Sequence, residues 1–119
     1  MSIITTILAT LVAIEFIFIM YLETFRTSSD RTSVTFNMTK EELNRPSVNV
    51  IFKNQCVYNG LIAVLISIAV YGFRDKAWTA ILMGYIILVA LYGSITSNPK
   101  ILIKQGGLAI ITLITCILF

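Results

Sequence analysis

A single glutamate, Glu15, interrupts an apolar stretch that otherwise has the composition of a membrane span. Residues 1–14 and 16–22 contain no charged side chain. An acidic residue at the centre of a transmembrane helix costs about 2.5–3.5 kcal/mol on insertion scales, and such residues usually face a bundle interior and serve a function. Glu15 is therefore the first candidate for a site that holds a proton, a cation or a small solute.

Amides and tyrosines form a second group of polar residues in apolar surroundings. Gln55 and Asn59 are four residues apart, which places them on one face of a helix. Side-chain amides donate and accept hydrogen bonds, so they can hold a carboxylate or line a pocket, and they serve equally well as links between helices. The candidate binding residues are Glu15, Gln55, Tyr58, Asn59, Tyr92 and Gln105.

The composition is that of an integral membrane protein. Of the 119 residues, 57% are hydrophobic and 13% are charged, whereas soluble domains carry about 25% charged residues. The chain has no histidine and two cysteines, which excludes a Cys/His zinc site and a disulfide framework. No phosphate loop, dinucleotide fingerprint or nucleophile elbow is present. We therefore expect no metal, cofactor, catalytic residue or nucleic-acid partner.

Four segments are long enough to span a bilayer, which takes about 20 apolar residues. The sequence predicts one all-α membrane domain over residues 1–119, a four transmembrane helix bundle with a long first loop at 26–46. Thr39 and Glu42 have capping-box spacing, which predicts a short helix in that loop, and Pro46 suits the first turn of the second span. The predicted spans are residues 2–25, 47–73, 77–96 and 101–119.

The basic residues are unevenly distributed between the loops, and this asymmetry predicts the topology. The first and third loops carry most of the lysines and arginines, whereas the second offers Arg74 and Lys76. Cytoplasmic loops are enriched in these residues. We therefore expect a multi-pass protein of the cell (inner or plasma) membrane, with both termini outside and loops 26–46 and 97–100 in the cytoplasm. Glu23 and Lys53 are a candidate interfacial ion pair at the cytoplasmic boundary.

Depth along antiparallel helices predicts that the polar residues meet. With Glu23 and Lys53 level at the boundary, Glu15 lies about 12 Å deeper and Asn59 about 9 Å deeper, at 1.5 Å per residue. Tyr92 and Gln105 lie inside the same boundary. The sequence thus predicts a polar pocket in the cytoplasmic half of the bundle.

Several short stretches resemble a known family. They are Ile14-Glu15-Phe16, Tyr21 to Phe25, Lys53 to Gly60, Tyr92-Gly93 with Thr96, and Gln105-Gly106. Together they resemble domain-of-unknown-function family thirteen-oh-four, a group of small four-helix bacterial membrane proteins, over essentially the whole chain. The chain departs from that pattern at Cys56, where glycine is expected, and at Gly107. The resemblance implies a fold and a membrane location but no activity.

Two other groups share parts of the layout. Small multidrug resistance transporters are similar in size and have one glutamate midway along the first of four helices, although the long first loop and the third helix here differ from theirs. Glutathione-handling membrane enzymes have a similar long first loop, and the start of their second helix is faintly similar to Lys53-Asn54-Gln55. Their further arginines and their Asn-x-x-Glu pattern are absent here.

Three functions remain open from the sequence. The first is binding or transport of a small solute, with Glu15 as a proton or cation site. The second is a lipid-phase enzyme that acts on a thiol conjugate or a lipid. The third is a structural or accessory subunit whose polar residues only join helices. The residues do not decide whether the protein is an enzyme, although they favour a protein without enzymatic activity. We expect a homo-oligomer in contact with membrane lipid.

Overall fold

Six α-helices make up the described part of the chain. The computed structural model describes residues 1–25, 30–36, 38–96 and 99–119, without the side chains of residues 23, 31, 35 and 36, and these residues contain no strand. Four of the helices are long and apolar enough to cross a membrane, which confirms the predicted all-α fold. The helices are α1 (Ile3–Phe25), α2 (Asp30–Phe36), α3 (Lys40–Asn44), α4 (Pro46–Ser67), α5 (Lys76–Thr96) and α6 (Ile101–Leu118), and a π-helical turn (Ile68–Gly72) continues α4.

Local sequence signals fix the helix boundaries in the first and second loops. The Thr39 hydroxyl accepts from the Glu42 N–H, and the Glu42 carboxylate accepts from the Thr39 N–H, which completes the predicted capping box of α3. The N–H and the hydroxyl of Thr39 both donate to this carboxylate and hold the pKa of Glu42 below its usual range. Pro46 begins α4 as predicted. Asp75 Oδ1 accepts from the N–H groups of Ala77 and Trp78 and so caps α5.

Helix α2 is a feature that the sequence did not indicate. Apart from Arg31, its residues are short and polar, β-branched or aromatic, and such residues favour helices only weakly. Contacts outside the helix hold it: Asp30 forms an ion pair with Lys40 of α3, and the Ser33 hydroxyl donates to the Met38 carbonyl. The Lys40 ammonium also lowers the pKa of Asp30. The two short helices therefore form one folded unit beside the bundle.

The four long helices pack in the order α4, α1, α6, α5. Helix α1 packs against α4 on one side and α6 on the other, and α5 packs against α6 and against the π-helical turn. The core is aliphatic apart from Phe16 and Met83. Its fully buried members on the four helices include Ala9, Val12, Phe16, Ala63, Ile66, Met83, Ile86 and Ala109.

Two glycines mark where neighbouring helices approach most closely. A Cβ added at Gly60 of α4 would lie 2.8 Å from Met20 Sδ on α1, and one added at Gly106 of α6 would lie 3.1 Å from Ala90 Cβ on α5. Small residues let membrane helices come close enough for van der Waals packing to hold them together. These contacts also fix the depth of each helix against its neighbour.

A chain of hydroxyl groups joins α1 and α6 at the end of the bundle away from α2 and α3. Ser2 Oγ donates to Thr5 Oγ1, which donates across to Thr115 Oγ1 at 2.9 Å. Thr115 in turn donates to the Thr112 carbonyl on its own helix. Thr5 and Thr115 are both buried. This chain satisfies polar groups that would otherwise lie unpaired in hydrocarbon.

We expect the hydroxyl pair to contribute measurably to stability. In a double-mutant cycle of Thr5→Val and Thr115→Val, the coupling energy should be about 0.6 kcal/mol, the average for hydrogen bonds between membrane helices, and no more than about 1.7 kcal/mol. Equilibrium unfolding of the purified protein in dodecyl sulfate micelles would measure it. Thr6→Val is the matched control, because the Thr6 hydroxyl donates to the Ser2 carbonyl, just before its own helix, rather than to another helix of the described structure. A coupling no larger than that of Thr6 with Thr115 would contradict the assignment.

Candidate functional site

Glu15 occupies the middle of α1 and is half-buried. Its Oε1 is one of two buried side-chain polar atoms without a hydrogen-bond partner among the described residues; the other is Thr24 Oγ1. Within the same part of the chain, the ion pair present is Asp30 with Lys40, so no described cation neutralises Glu15. A buried acceptor without a donor costs free energy. The structure therefore has a buried carboxyl oxygen in the span that no described donor satisfies.

The contacts of α1 establish which side of the helix carries Glu15. Met20 faces α4 through its close approach to Gly60, and Thr10 faces the π-helical turn that continues α4, through the Tyr71 hydroxyl at 2.6 Å. At about 100° per residue, Glu15 lies about 140° around α1 from both of these positions. It lies only about 80° from Thr5, which contacts α6. The carboxyl thus points away from α4, on the side of α1 nearer to α6.

Gln105 is the candidate residue that the helix register brings level with Glu15. The Thr5–Thr115 hydrogen bond sets the antiparallel register of α1 and α6. An equal distance of about 15 Å along each helix from that bond leads to Glu15 on α1 and to Gln105 on α6. Gln105 is half-buried, and its amide can both donate to a carboxylate and accept from a ligand.

The other two amides lie in a different layer. Because Gly60 meets Met20, Asn59 is level with about Tyr21, and this position lies about 9 Å from Glu15 toward the α2–α3 end. Asn59 is buried, with 8% of its surface exposed, and the residue has an interaction partner. Gln55, one turn closer to the start of α4, is exposed. The register thus separates the amide pair from Glu15, whereas the sequence placed them together.

Both candidate tyrosines point outward. Tyr58 is 63% exposed and Tyr92 is 70% exposed. The buried face of α5 runs through Met83, Ile86 and Ala90, and Tyr92 lies about 160° from Ala90 around the helix. Within one chain these hydroxyls do not line a space between the helices, so the six-residue pocket as a whole stays a prediction.

Of the two residues in the candidate ion pair at the boundary, the structure describes the side chain of one. Lys53 is exposed near the start of α4. The side chain of Glu23 lies outside the described residues. The pair therefore stays a prediction.

A long groove between α1 and α4 does not contain the polar candidates. Its volume is about 780 Å³, and Ile17 and Met20 on α1 and Val57, Leu61 and Val64 on α4 are among its walls. None of the six candidate residues lines it. The groove therefore offers an apolar surface, and the polar chemistry lies elsewhere.

Comparisons with known proteins agree with the resemblance seen in the sequence. The chain matches the model of DUF1304, a protein of unknown function, over residues 10–117. It is 58% identical over 116 residues to the uncharacterized protein YpaA of Lactococcus lactis subsp. lactis (strain IL1403), which covers 97% of this chain and 98% of the relative. No solved structure matches the chain significantly. This helical membrane protein therefore belongs to the DUF1304 family, that is, to domain-of-unknown-function family thirteen-oh-four.

Proposed function

We propose that the protein binds a small cationic solute within the membrane, and that the Glu15 carboxyl exchanges a proton for that cation. The observation that supports the proposal is the buried Oε1, which has no donor among the described residues. Carboxyl groups inside membrane bundles pair with one another, with backbone groups or with transported ions. A cation would supply the charge partner that Glu15 lacks, and Gln105, at the same depth, would supply a polar contact.

The same proposal includes an orientation in the cell membrane. We place loops 26–46 and 97–100 in the cytoplasm, because most lysines and arginines lie in or beside them. Glu15 then lies in the first span between the outer end, which carries the hydroxyl chain, and the cytoplasmic layer that holds Asn59. A dimer of this chain would agree with transport, since two carboxyls could then share one pathway.

Glu15→Gln tests the role of the carboxylate, because it removes the charge and keeps the shape of the side chain. With tetraphenylphosphonium as the probe, the wild-type protein in lipid nanodiscs should bind the cation and release a proton into weakly buffered solution. In the variant we expect binding to weaken by about tenfold or more and proton release to disappear. Titration calorimetry and a pH indicator would measure the two effects.

Chemical labelling provides an independent measurement and a control. Dicyclohexylcarbodiimide modifies carboxyl groups in apolar surroundings, so it should label the wild-type protein at Glu15, and tetraphenylphosphonium should slow the reaction. Glu41→Gln is the matched control, because Glu41 is an exposed carboxylate on α3 and its loss should change neither measurement. Equal cation binding by wild type and Glu15→Gln, or labelling that the cation does not slow, would refute the proposal.

A further inference from the structure

A second cavity lies at the α2–α3 end of the bundle, away from Glu15. Its volume is about 470 Å³, and its walls come from the α2–α3 unit and from the start of α6. The residues that line it are Ser33, Val34, Met38, Thr39, Glu42, Lys100 and Lys104. It therefore lies where the start of α6 meets the first loop, which contains α2 and α3.

The cationic groups of this cavity come from one side of α6. The Lys104 N–H donates to the Lys100 carbonyl at 2.9 Å, so the two lysines are one helical turn apart and share a face. Within the described residues, the Lys104 side chain forms no ion pair. Two ammonium groups at this spacing repel each other, and an anion between them would offset that repulsion.

The polar groups on the opposite wall already have partners. The Glu42 carboxylate accepts from the N–H and the hydroxyl of Thr39, and the Ser33 hydroxyl donates to the Met38 carbonyl. Among the described residues of the lining, Glu42 is the acidic one and the two lysines are basic, so together these residues carry a net positive charge. The charge that the start of α6 contributes to the cavity is thus positive.

The cavity also has an apolar part. Val34 and Met38 line it, and Val34 is 71% exposed. A free phosphate ion cannot make apolar contacts with these side chains, whereas a phospholipid carries an apolar region next to its phosphate. Basic pockets beside transmembrane helices are known to bind lipid headgroups.

We propose that this cavity binds the phosphate group of an anionic phospholipid, with Lys100 and Lys104 as the two cationic contacts. The site is separate from Glu15 and does not depend on the function proposed there. The lipid would hold the α2–α3 unit against the start of α6 through one headgroup.

Native mass spectrometry with defined lipids tests the proposal. Wild-type protein in detergent should retain one phosphatidylglycerol molecule more tightly than phosphatidylcholine. In Lys100→Gln/Lys104→Gln we expect phosphatidylglycerol binding to weaken by about tenfold or more, because each lysine near an anionic membrane surface contributes to the attraction. Lys100→Arg/Lys104→Arg should retain it, since arginine also binds phosphate.

A charge-matched control separates the site from a general effect of charge. Arg74→Gln/Lys76→Gln removes two positive charges in the second loop and should leave phosphatidylglycerol binding at the wild-type value. The proposal is wrong if both double variants lose the lipid equally, or if Lys100→Gln/Lys104→Gln keeps it while retaining wild-type helicity by circular dichroism. Displacement of the lipid by glycerol 3-phosphate at comparable concentration would refute the assignment to a lipid, because it would identify a soluble phosphate compound as the ligand.

Discussion

Replacing Glu15 with leucine is expected to make the protein more stable and to abolish cation binding. Leucine restores an uninterrupted apolar α1, and it removes a buried oxygen that has no hydrogen-bond donor among the described residues. An acidic residue at the centre of a span costs about 2.5–3.5 kcal/mol. Because Glu15 is only half-buried, we expect a smaller gain in the free energy of unfolding, about 1–3 kcal/mol. Unfolding in dodecyl sulfate and tetraphenylphosphonium binding would measure the two effects.

The direction of the stability change separates two functions for this residue. A residue retained for a ligand typically reduces stability, so its removal stabilises the protein while function is lost. A residue that joins helices has the opposite signature, because its removal leaves its partners unpaired. If Glu15→Leu lowered the free energy of unfolding, the carboxyl would be a structural link, and an accessory subunit would become the better interpretation of the protein.

Glu15→Gln completes this comparison as the conservative variant. Glutamine keeps the size of the side chain and a polar end group, so we expect it to change stability less than leucine does. Both variants should lose cation binding, because neither carries a charge. A glutamine variant that kept full binding beside a leucine variant that lost it would show that polarity rather than charge holds the ligand.

The second large effect is expected at Gly106, where α5 and α6 approach most closely. Gly106→Leu should lower the free energy of unfolding by about 1–3 kcal/mol, the usual cost of overpacking. A Cβ at this position already lies 3.1 Å from Ala90 Cβ and 3.6 Å from Leu102 Cδ1, so a larger side chain must push the helices apart. The same unfolding measurement in dodecyl sulfate would detect the change.

The neighbouring glycine is a close control. A Cβ at Gly107 has no neighbouring atom within 4 Å, and leucine has a higher helix propensity than glycine by nearly 1 kcal/mol. Gly107→Leu should therefore leave stability unchanged or raise it slightly. Because Gln105 precedes Gly106 on α6, Gly106→Leu should also weaken cation binding at Glu15, whereas Gly107→Leu should not. Equal destabilisation by the two substitutions would contradict the close packing of α5 on α6.

The sequence predicted the features that depend on local chemistry. The Thr39–Glu42 capping box and the start of α4 at Pro46 follow from a few adjacent residues, and the structure contains both. With the π-helical turn counted as the end of the second span, the four spans begin and end within one residue of their predicted limits, because polar and charged turns interrupt the apolar runs. Helix α2 could not be predicted from its own residues, since Lys40 and Met38, which bind Asp30 and Ser33, lie outside it.

The composition of the site depends on how helices approach each other, and the sequence carries little information on that. Matching Glu23 with Lys53 placed Asn59 too deep, because the close contact between Gly60 and Met20 shifts α4 by about 6 Å, or four residues, along α1. The outward direction of Tyr92 could not be predicted from the sequence for a different reason. In a membrane helix both faces are apolar, so the periodic contrast that marks the buried face of a soluble helix is weak.

The neighbours of α1 have a consequence for biosynthesis. Helix α1 leaves the ribosome before α4, α5 and α6, and α6 is the helix on the side of Glu15. The carboxyl therefore has to enter the bilayer before the helix beside it has been translated. A nascent chain that ends before α6 would present Glu15 to lipid or to the insertion machinery, so α6 completes the surroundings of a residue that was inserted three spans earlier.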